Sequence, residues 1–295
     1  MVPGHQKLAL GTVQFGLDYG INNARGKVAI AEVSQILTHA RDHGIEVLDT
    51  AGAYGDAEAV LGAASGKVGS FKIVSKIPPG ATTPEAVDDA VRGSLSRLGA
   101  ERLYGMLVHD LGAFMGDERN WDVLRRWREA GKVEKIGVSA YYPREIEVLM
   151  ARGLDLQLVQ APYSVFDRRF ATIFSELQNS GVEVHVRSIF LQGLFFMEPS
   201  RLPAHFESVK PAVLRLQALA RSIDVPLSAL LLSVGLLDPA VDRVVVGVDS
   251  LANLRENLAA FGHLQACVQC ADELRQLRVD DESIVLPFKW PKGAS

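Results

Sequence analysis

The chain is poor in cysteine and has no long hydrophobic run. It contains two cysteines, Cys267 and Cys270, and neither a second cysteine pair nor paired histidines follow them. We therefore predict a structural role for both in a helix, and no metal site. The most apolar window, residues 226–237, is too short to cross a bilayer, and the N-terminal residues contain no signal-peptide core. Because sparse cysteine also suits a reducing compartment, we expect a soluble, cytoplasmic protein that does not act at a membrane.

Positive charge is in slight deficit. Lys and Arg number 31 against 35 Asp and Glu, which gives a net charge of −4. A mildly acidic surface attracts neither nucleic-acid phosphates nor anionic lipid headgroups, so this balance argues against both partners. The hydrophobic content of 48% is ordinary for a globular protein, and 295 residues can bury a large core without disulfides.

Short apolar segments alternate with amphipathic helices along the whole chain. Eight of these segments are predicted strands, at residues 8–12, 46–49, 71–76, 103–109, 135–139, 156–160, 182–188 and 243–247. Helices predicted in nearly every gap indicate a parallel sheet. Eight such units in under 300 residues favour a closed (β/α)8 TIM barrel, and because no linker divides the chain we predict a single domain, residues 1–295.

An open doubly wound sheet is the alternative fold. It requires a glycine-rich turn after the first strand that leads at once into a helix. Residues 11–16 contain the glycines, but no immediate helix is predicted after them. The sequence therefore favours the barrel.

Four ionisable side chains stand at or just after the ends of three adjacent predicted strands. Asp49 ends the second strand, Tyr54 lies five residues later, Lys76 ends the third strand and His109 ends the fourth. Taken singly, such residues are more often helix caps, packed rings or surface groups. The carboxyl ends of parallel strands meet at one mouth of a barrel, however, and a buried lysine needs a carboxylate partner. The set therefore predicts an active site.

These four residue types suit proton transfer to a carbonyl oxygen. Tyrosine has an ordinary pKa of about 10, and a nearby cation such as Lys76 lowers that pKa. Asp49 would hold the ammonium in place. His109 would orient the carbonyl oxygen while Tyr54 donates the proton. A hydride must reach the carbon as well, which implies a nicotinamide cofactor.

Several short motifs resemble those of the aldo-keto reductase family. They are Leu48-Asp-Thr-Ala51 with Tyr54-Gly55, Val74-Ser-Lys76, Leu107-Val-His109, Ile136-Gly-Val-Ser139, Val159-Gln160, and Val244-Val-Val-Gly247 followed by Ser250 and Asn257. The resemblance extends from about residue 8 to residue 258. It implies a barrel oxidoreductase in which Tyr54 is the general acid, Lys76 and Asp49 tune it, and His109 orients the carbonyl.

The same resemblance implies which residues hold the cofactor. Ser139 and Gln160 would bind the carboxamide of the nicotinamide, and the helix that begins near Ser250 would present its N-terminus to a phosphate. The expected cofactor-binding residues are Gly11, Thr12, Asp49, Ser139, Gln160, Arg187, Ser188, Gly193, Gly247, Asp249, Ser250, Asn253 and Asn257.

Two positions near the expected nicotinamide depart from the family pattern. Ala140 stands where the family often has Asn, which removes one carboxamide contact. Arg187 stands where the family often has an aromatic residue that stacks on the nicotinamide. A guanidinium also stacks as a plane, but its charge predicts weaker binding of the oxidised cofactor or recruitment of an anionic substrate.

A third departure concerns the choice of cofactor. Asp249 stands where the family usually has Lys or Arg for the 2′-phosphate of NADP. A carboxylate repels that phosphate and can accept a hydrogen bond from a ribose hydroxyl, which favours NAD. Arg255, one turn later, favours NADP. We expect NADP, with NAD as the open alternative.

Three functions are compatible with these residues. The leading one is NAD(P)H-dependent reduction of a small-molecule aldehyde, ketone or sugar-like carbonyl to the alcohol, by a monomer. The second is a redox-cycling epimerase, dehydratase or lyase that retains its cofactor. The third is a nicotinamide-sensing, non-enzymatic partner subunit, which the complete set of four catalytic residue types disfavours. Loops 14–26, 111–119 and 191–208 are expected to select the substrate, with Phe195, Phe196 and Phe206 as pocket walls or half-buried loop aromatics.

Overall fold

The centre of the molecule is a closed barrel of eight parallel strands. The computed structural model describes residues 3–64 and 71–291. The strands are β1 (Leu8–Gly11), β2 (Val47–Asp49), β3 (Lys72–Ile77), β4 (Leu103–Val108), β5 (Val133–Ser139), β6 (Leu158–Pro162), β7 (Glu183–Arg187) and β8 (Arg243–Gly247). Each strand pairs with the next, and β8 closes on β1 with Gly247 opposite Gly11. The predicted (β/α)8 barrel is confirmed, and the predicted strand ends agree with the observed ones to within two residues.

Helices surround the barrel. In chain order they are α1 (Val13–Gly16), α2 (Ile30–Asp42), α3 (Ala57–Ala63), α4 (Pro84–Leu98), α5 (Leu111–Phe114), α6 (Arg119–Glu129), α7 (Pro143–Ala151), α8 (Ala171–Asn179), α9 (Lys210–Ser222), α10 (Leu227–Leu236), α11 (Leu251–Ala259), α12 (Leu264–Cys267), α13 (Ala271–Arg275) and α14 (Glu282–Val285). The single turn of α1 lies within residues 11–16, and the next helix, α2, begins only at Ile30, so the prediction of no helix immediately after these residues is confirmed. The single turn leaves the barrel topology unchanged.

Local sequence signals set the helix ends, as α4 illustrates. The Thr83 hydroxyl accepts the backbone N–H of Ala86 at 3.3 Å, and Pro84 occupies the first turn, where its missing N–H is not needed. Gly99 ends the helix with a φ of +60°, a conformation that glycine adopts without steric cost.

A layer of apolar side chains lies inside the barrel, directly below the mouth. A cluster inside it is formed by Ala9, Val47, Val74, Leu107, Leu158 and Val245. Side chains two residues apart on a strand share a face. Asp49, Lys76 and Gln160 therefore lie directly above Val47, Val74 and Leu158, at the carboxyl ends of their strands. This alternation places the polar site on top of an apolar layer.

The most apolar segment of the chain is a core helix. Every residue of α10 from Ser228 to Leu236 is buried. Within the described ranges no single helix is long and apolar enough to span a membrane; residues 204–222 and α10 together have the length and composition but meet at a 98° bend.

The free thiols of Cys267 and Cys270 are buried at and just after α12, and burial raises the pKa of Cys267 to about 11. The burial of both thiols and the raised pKa of Cys267 agree with the predicted structural role of the cysteines.

Candidate active site

Lys76 and Asp49 form a buried ion pair at the mouth of the barrel. Lys76 Nζ lies 2.7 and 2.8 Å from the two carboxylate oxygens of Asp49 and donates to the Thr50 carbonyl at 2.9 Å. The Lys76 side chain is fully buried and that of Asp49 is 4% exposed. Burial lowers the pKa of Lys76, and the Asp49 carboxylate opposes this shift. The carboxylate partner that a buried lysine requires is therefore present.

The Tyr54 hydroxyl lies beside this ammonium. Lys76 donates a long hydrogen bond of 3.4 Å to it, and Nζ is 4.9 Å from the centroid of the ring. Burial and the negative charge of Asp49 raise the pKa of Tyr54 above its ordinary value, while Arg187 acts in the opposite direction. A lowering of the Tyr54 pKa by Lys76 was predicted from the sequence, and this prediction is wrong because desolvation of the phenolate dominates. The phenol stays protonated at neutral pH, as a proton donor must.

His109 follows β4 and faces Tyr54. The two ring centroids are 6.0 Å apart and the ring planes cross at 86°. Burial, and then the charges of Lys76 and Arg187, lower the pKa of His109 to about 3. The imidazole is therefore neutral at physiological pH. Its Nδ1 is buried and has no hydrogen-bond partner in the described part of the chain.

Three further predicted residues join the same hydrogen-bond network. Gln160 Nε2 donates to the Asp49 carboxylate at 2.6 Å, and Ser139 Oγ donates to Gln160 Oε1 at 3.5 Å. Thr12 donates to the Asp49 carbonyl from its backbone N–H at 2.9 Å and from its hydroxyl at 3.0 Å. Thr12, Ser139 and Gln160 are all buried. The residues expected at the carboxamide thus contact one another and the catalytic set.

Arg187, at the end of β7, stacks on Tyr141, which is not among the residues predicted for the site. Its Cζ lies 4.4 Å from the ring centroid of Tyr141, and its Nη2 donates to the Ala140 carbonyl at 3.2 Å. The Arg187 charge influences the pKa values of Tyr54 and His109, so it lies near the mouth. No carboxylate within residues 3–64 and 71–291 forms an ion pair with it. Tyr141 follows the end of β5, and that strand-end position was the one available signal.

Ser188 and Gly193 shape the segment after β7. Their φ values are +63° and +92°, in the left-handed region. A Cβ on Gly193 would lie 2.7 Å from the Cβ of Asn22, so this segment packs closely on the loop after β1. The observed neighbour of Gly193 is that loop, and its expected role in cofactor binding stays a prediction.

The residues expected at the phosphate and adenosine form a second group at α11, which follows Gly247. Ser250 caps the helix: its hydroxyl accepts the Asn253 N–H at 3.1 Å and donates to the Asp249 carboxylate at 2.9 Å. Asn257 is 1% exposed, and neither its amide nitrogen nor its amide oxygen has a partner in the described residues. Buried polar groups normally have partners. The unpaired amide of Asn257 and the unpaired Nδ1 of His109 are therefore available to hydrogen-bond a ligand.

Of the three phenylalanines expected as pocket walls or half-buried loop aromatics, Phe196 alone is half-buried. Phe195 and Phe206 are fully buried and pack edge-on against Phe166 and Trp290, so they are core residues and that prediction is wrong for both. Tyr19, from the loop after β1, reaches the mouth instead, where the charge of Arg187 opposes the rise that burial causes in the pKa of its hydroxyl. No periodicity in the sequence distinguishes Tyr19 from other loop aromatics.

Comparison with known proteins shows the family to which the chain is similar. The sequence model of the aldo/keto reductase family matches residues 7–274. An aldo-keto reductase of Mycolicibacterium vanbaalenii is 30% identical over 127 residues, and the match covers 41% of this chain but only 45% of that relative. The L-galactose dehydrogenase of Arabidopsis thaliana is 24% identical over 221 residues, or 71% of this chain and 68% of that protein.

A solved structure supports the same fold. The holo form of an aldo-keto reductase from Bacillus halodurans has a TM-score of 0.73 and 20% identity, over 96% of this chain and 95% of the other. The family model covers most of the chain, and the barrel follows from the structure itself. The chain therefore belongs to the aldo/keto reductase family.

Proposed function

We propose that this protein reduces an aldehyde, ketone or sugar-like carbonyl to the alcohol, with Tyr54 as the proton donor. The observation that carries the proposal is the position of the Tyr54 hydroxyl, 3.4 Å from a lysine that Asp49 holds in a buried ion pair. Membership in a reductase family supports the reaction class. Similarity to an L-galactose dehydrogenase supports sugar-like carbonyls as candidate substrates.

The proton comes from a phenol that is neutral before the reaction. As the carbonyl carbon is reduced, charge develops on its oxygen, and Tyr54 transfers its proton there. The phenolate left behind is stabilised by the Lys76 ammonium, and Asp49 keeps that ammonium in place. Positioned proton transfer of this kind typically contributes about 10²–10⁴ in rate.

His109 orients the substrate. Its imidazole is neutral, so one ring nitrogen carries a hydrogen and can donate to the carbonyl oxygen. The ring lies across from Tyr54, so both residues can donate a hydrogen bond to the same carbonyl oxygen of the substrate. Because its pKa is far below neutrality, this role does not change between pH 6 and pH 8.

The cofactor would supply the hydride, and the residues available to hold it occupy both ends of the site. Ser139 and Gln160 would bind the carboxamide, with Gly11, Thr12, Arg187, Ser188 and Gly193 around them. Gly247, Asp249, Ser250, Asn253 and Asn257 would hold the phosphates and the adenosine, where Asn257 has unused hydrogen-bonding atoms. The NADP expected from the sequence depends on Arg255 reaching the 2′-phosphate.

Arg187 leaves the mouth positively charged, because Asp49 already neutralises Lys76. A positive mouth disfavours the oxidised, cationic nicotinamide relative to the reduced form. It equally favours a carbonyl substrate that bears a negative group. The same residue keeps the cofactor-retaining epimerase or lyase as a second candidate, since it replaces the usual stacking aromatic.

A coenzyme-consumption assay tests the proposal. The purified protein is incubated with a panel of aldehydes, ketones and sugars and with NADH or NADPH, and both coenzyme oxidation and product are quantified. One alcohol formed per coenzyme oxidised is the expected result. Conversion of substrate without net coenzyme oxidation would indicate the epimerase or lyase, and tight coenzyme binding without conversion would indicate the sensing subunit.

A further inference from the structure

The N-terminus of α11 already binds a carboxylate of the protein. Glu32, on α2, accepts the backbone N–H of Leu251 at 3.0 Å, and the Ser250 hydroxyl accepts the N–H of Asn253. These N–H groups belong to the first turn of the helix, which has no intrahelical acceptors for them. The Leu251 hydrogen bond and the nearby Arg25 lower the pKa of Glu32, so its carboxylate is charged at neutral pH.

A second carboxylate stands beside the same helix end. Asp249 accepts the hydroxyl of Ser250, the capping residue, at 2.9 Å. Arg25 is a cation near this helix end. Its guanidinium donates hydrogen bonds to both carboxylate oxygens of Glu32, at 2.8 and 3.4 Å. The three charged side chains therefore sum to −1 at the place where a phosphate would approach.

Arg255, the cation that favours NADP in the sequence, does not face the N-terminus of α11. It lines a surface hollow together with His5, His39, His43, Leu258 and Ala259. Its charge also contributes to lowering the pKa of His39, on the neighbouring helix α2. Leu258 and Ala259 form the last turn of α11. The Arg255 side chain thus faces this hollow beside the last turn of α11, and not the capped N-terminus.

We propose that the protein selects NAD(H) over NADP(H), with Glu32 and Asp249 as the residues that determine this specificity. The inference rests on the proposed function, in which α11 holds the adenosine end of the cofactor. A 2′-phosphate carries a charge of about −1.5 to −2. It would have to displace Glu32 from the Leu251 N–H and lie next to Asp249. A ribose 2′-hydroxyl instead donates a hydrogen bond to a carboxylate.

The test compares the affinities for NADH and NADPH. The purified chain is titrated with each coenzyme by reduced-nicotinamide fluorescence, and with NAD and NADP by calorimetry, so that the readout does not depend on turnover. The wild type is expected to bind NADH at least about tenfold more tightly, a difference of roughly 1.4 kcal/mol. Glu32→Gln keeps an acceptor for Leu251 but removes the charge, and Asp249→Asn removes the second charge.

Each of these variants is expected to narrow the NADH-to-NADPH affinity ratio by about three- to tenfold, mainly through tighter NADPH binding. Glu256→Gln is the matched control, because it makes the same charge change at an exposed position of the same helix. Preference of the wild type for NADPH, or equal ratios in Glu32→Gln, Asp249→Asn and Glu256→Gln, would overturn this inference alone. Binding of neither coenzyme would overturn the proposed function together with it.

Discussion

The Lys76 ammonium lies within 2.8 Å of both carboxylate oxygens of Asp49 and 3.4 Å from the hydroxyl of Tyr54, and its side chain has no solvent exposure. One buried cation therefore neutralises a buried anion and also sets the surroundings of the proton donor. Substitutions of Lys76 are consequently expected to affect both stability and catalysis, whereas Tyr54→Phe, which removes only the hydroxyl, is expected to affect mainly catalysis.

Removal of Lys76 is expected to destabilise the fold. Lys76→Met leaves the Asp49 carboxylate buried with Gln160 as its remaining side-chain donor, and the loss of one partner of a buried ion pair typically costs about 3–5 kcal/mol. Urea unfolding at pH 7 measures this loss. The double variant Lys76→Met/Asp49→Asn should recover most of it.

Lys72→Met is the matched control for that experiment. Lys72 lies on the same strand, and its side chain is 48% exposed with a 3.6 Å pair to Glu46. Exposed pairs contribute about 0–1 kcal/mol, so this variant should lose little stability. Equal losses in Lys72→Met and Lys76→Met would contradict the account of a buried, paired lysine.

His109 predicts an acid-sensitive fold. Its pKa falls from 6.5 to about 3 on folding, so between these values the unfolded chain binds a proton that the folded chain does not. The free energy of unfolding must then decrease as the pH falls from 6.5 toward 3. At pH 5 the unfolding free energy is lower by roughly 1–2 kcal/mol from this residue.

The variant His109→Asn should lose less stability than the wild type between pH 7 and pH 5. Thermal or urea unfolding of the coenzyme-free protein at the two pH values measures the difference. His43→Asn, at an exposed histidine, serves as the control. The same acid response in wild type and His109→Asn would show that the ring is not held neutral by its surroundings.

The charge of Arg187 predicts a preference between coenzyme redox states and between substrates. Arg187→Met should tighten binding of the oxidised coenzyme relative to the reduced one by several-fold, because a cation near the nicotinamide ring is removed. It should also raise the KM of a carboxylate-bearing aldehyde relative to that of a neutral aldehyde. Coenzyme titrations and steady-state kinetics measure the two effects.

Arg168→Met makes the same chemical change at another stacked guanidinium, 4.9 Å from the ring centroid of Tyr163. It should leave both the coenzyme ratio and the substrate ratio unchanged. If Arg187→Met also left both unchanged, the electrostatic role of Arg187 would have to be abandoned.

Hydrophobic periodicity was sufficient to predict the barrel. Each strand is a short apolar run, and the polar residues Asp49, Lys76 and Gln160 stand at strand ends, where a barrel must bring them together. These signals are local along the chain, so a single sequence contains them.

The features that could not be predicted depend on contacts between distant segments. The bond from Leu251 to Glu32 joins residues 219 positions apart, and the stacking of Arg187 on Tyr141 joins two different strand ends. Whether Phe206 lines a pocket or lies in the core is decided by Trp290, from the far end of the chain. The direction of the Tyr54 pKa shift depends on burial, which strand-end position alone does not reveal.

The most direct test of the central claim is a single-turnover reduction by wild type and Tyr54→Phe, each loaded with reduced coenzyme. We expect both proteins to bind the coenzyme with similar affinity and the wild type to form one alcohol for each coenzyme oxidised. Tyr54→Phe should be slower by about 10²–10⁴. Equal rates in the two proteins, or conversion of the carbonyl compound while the wild-type coenzyme stays reduced, would contradict the assignment of Tyr54 as the proton donor of a reductase.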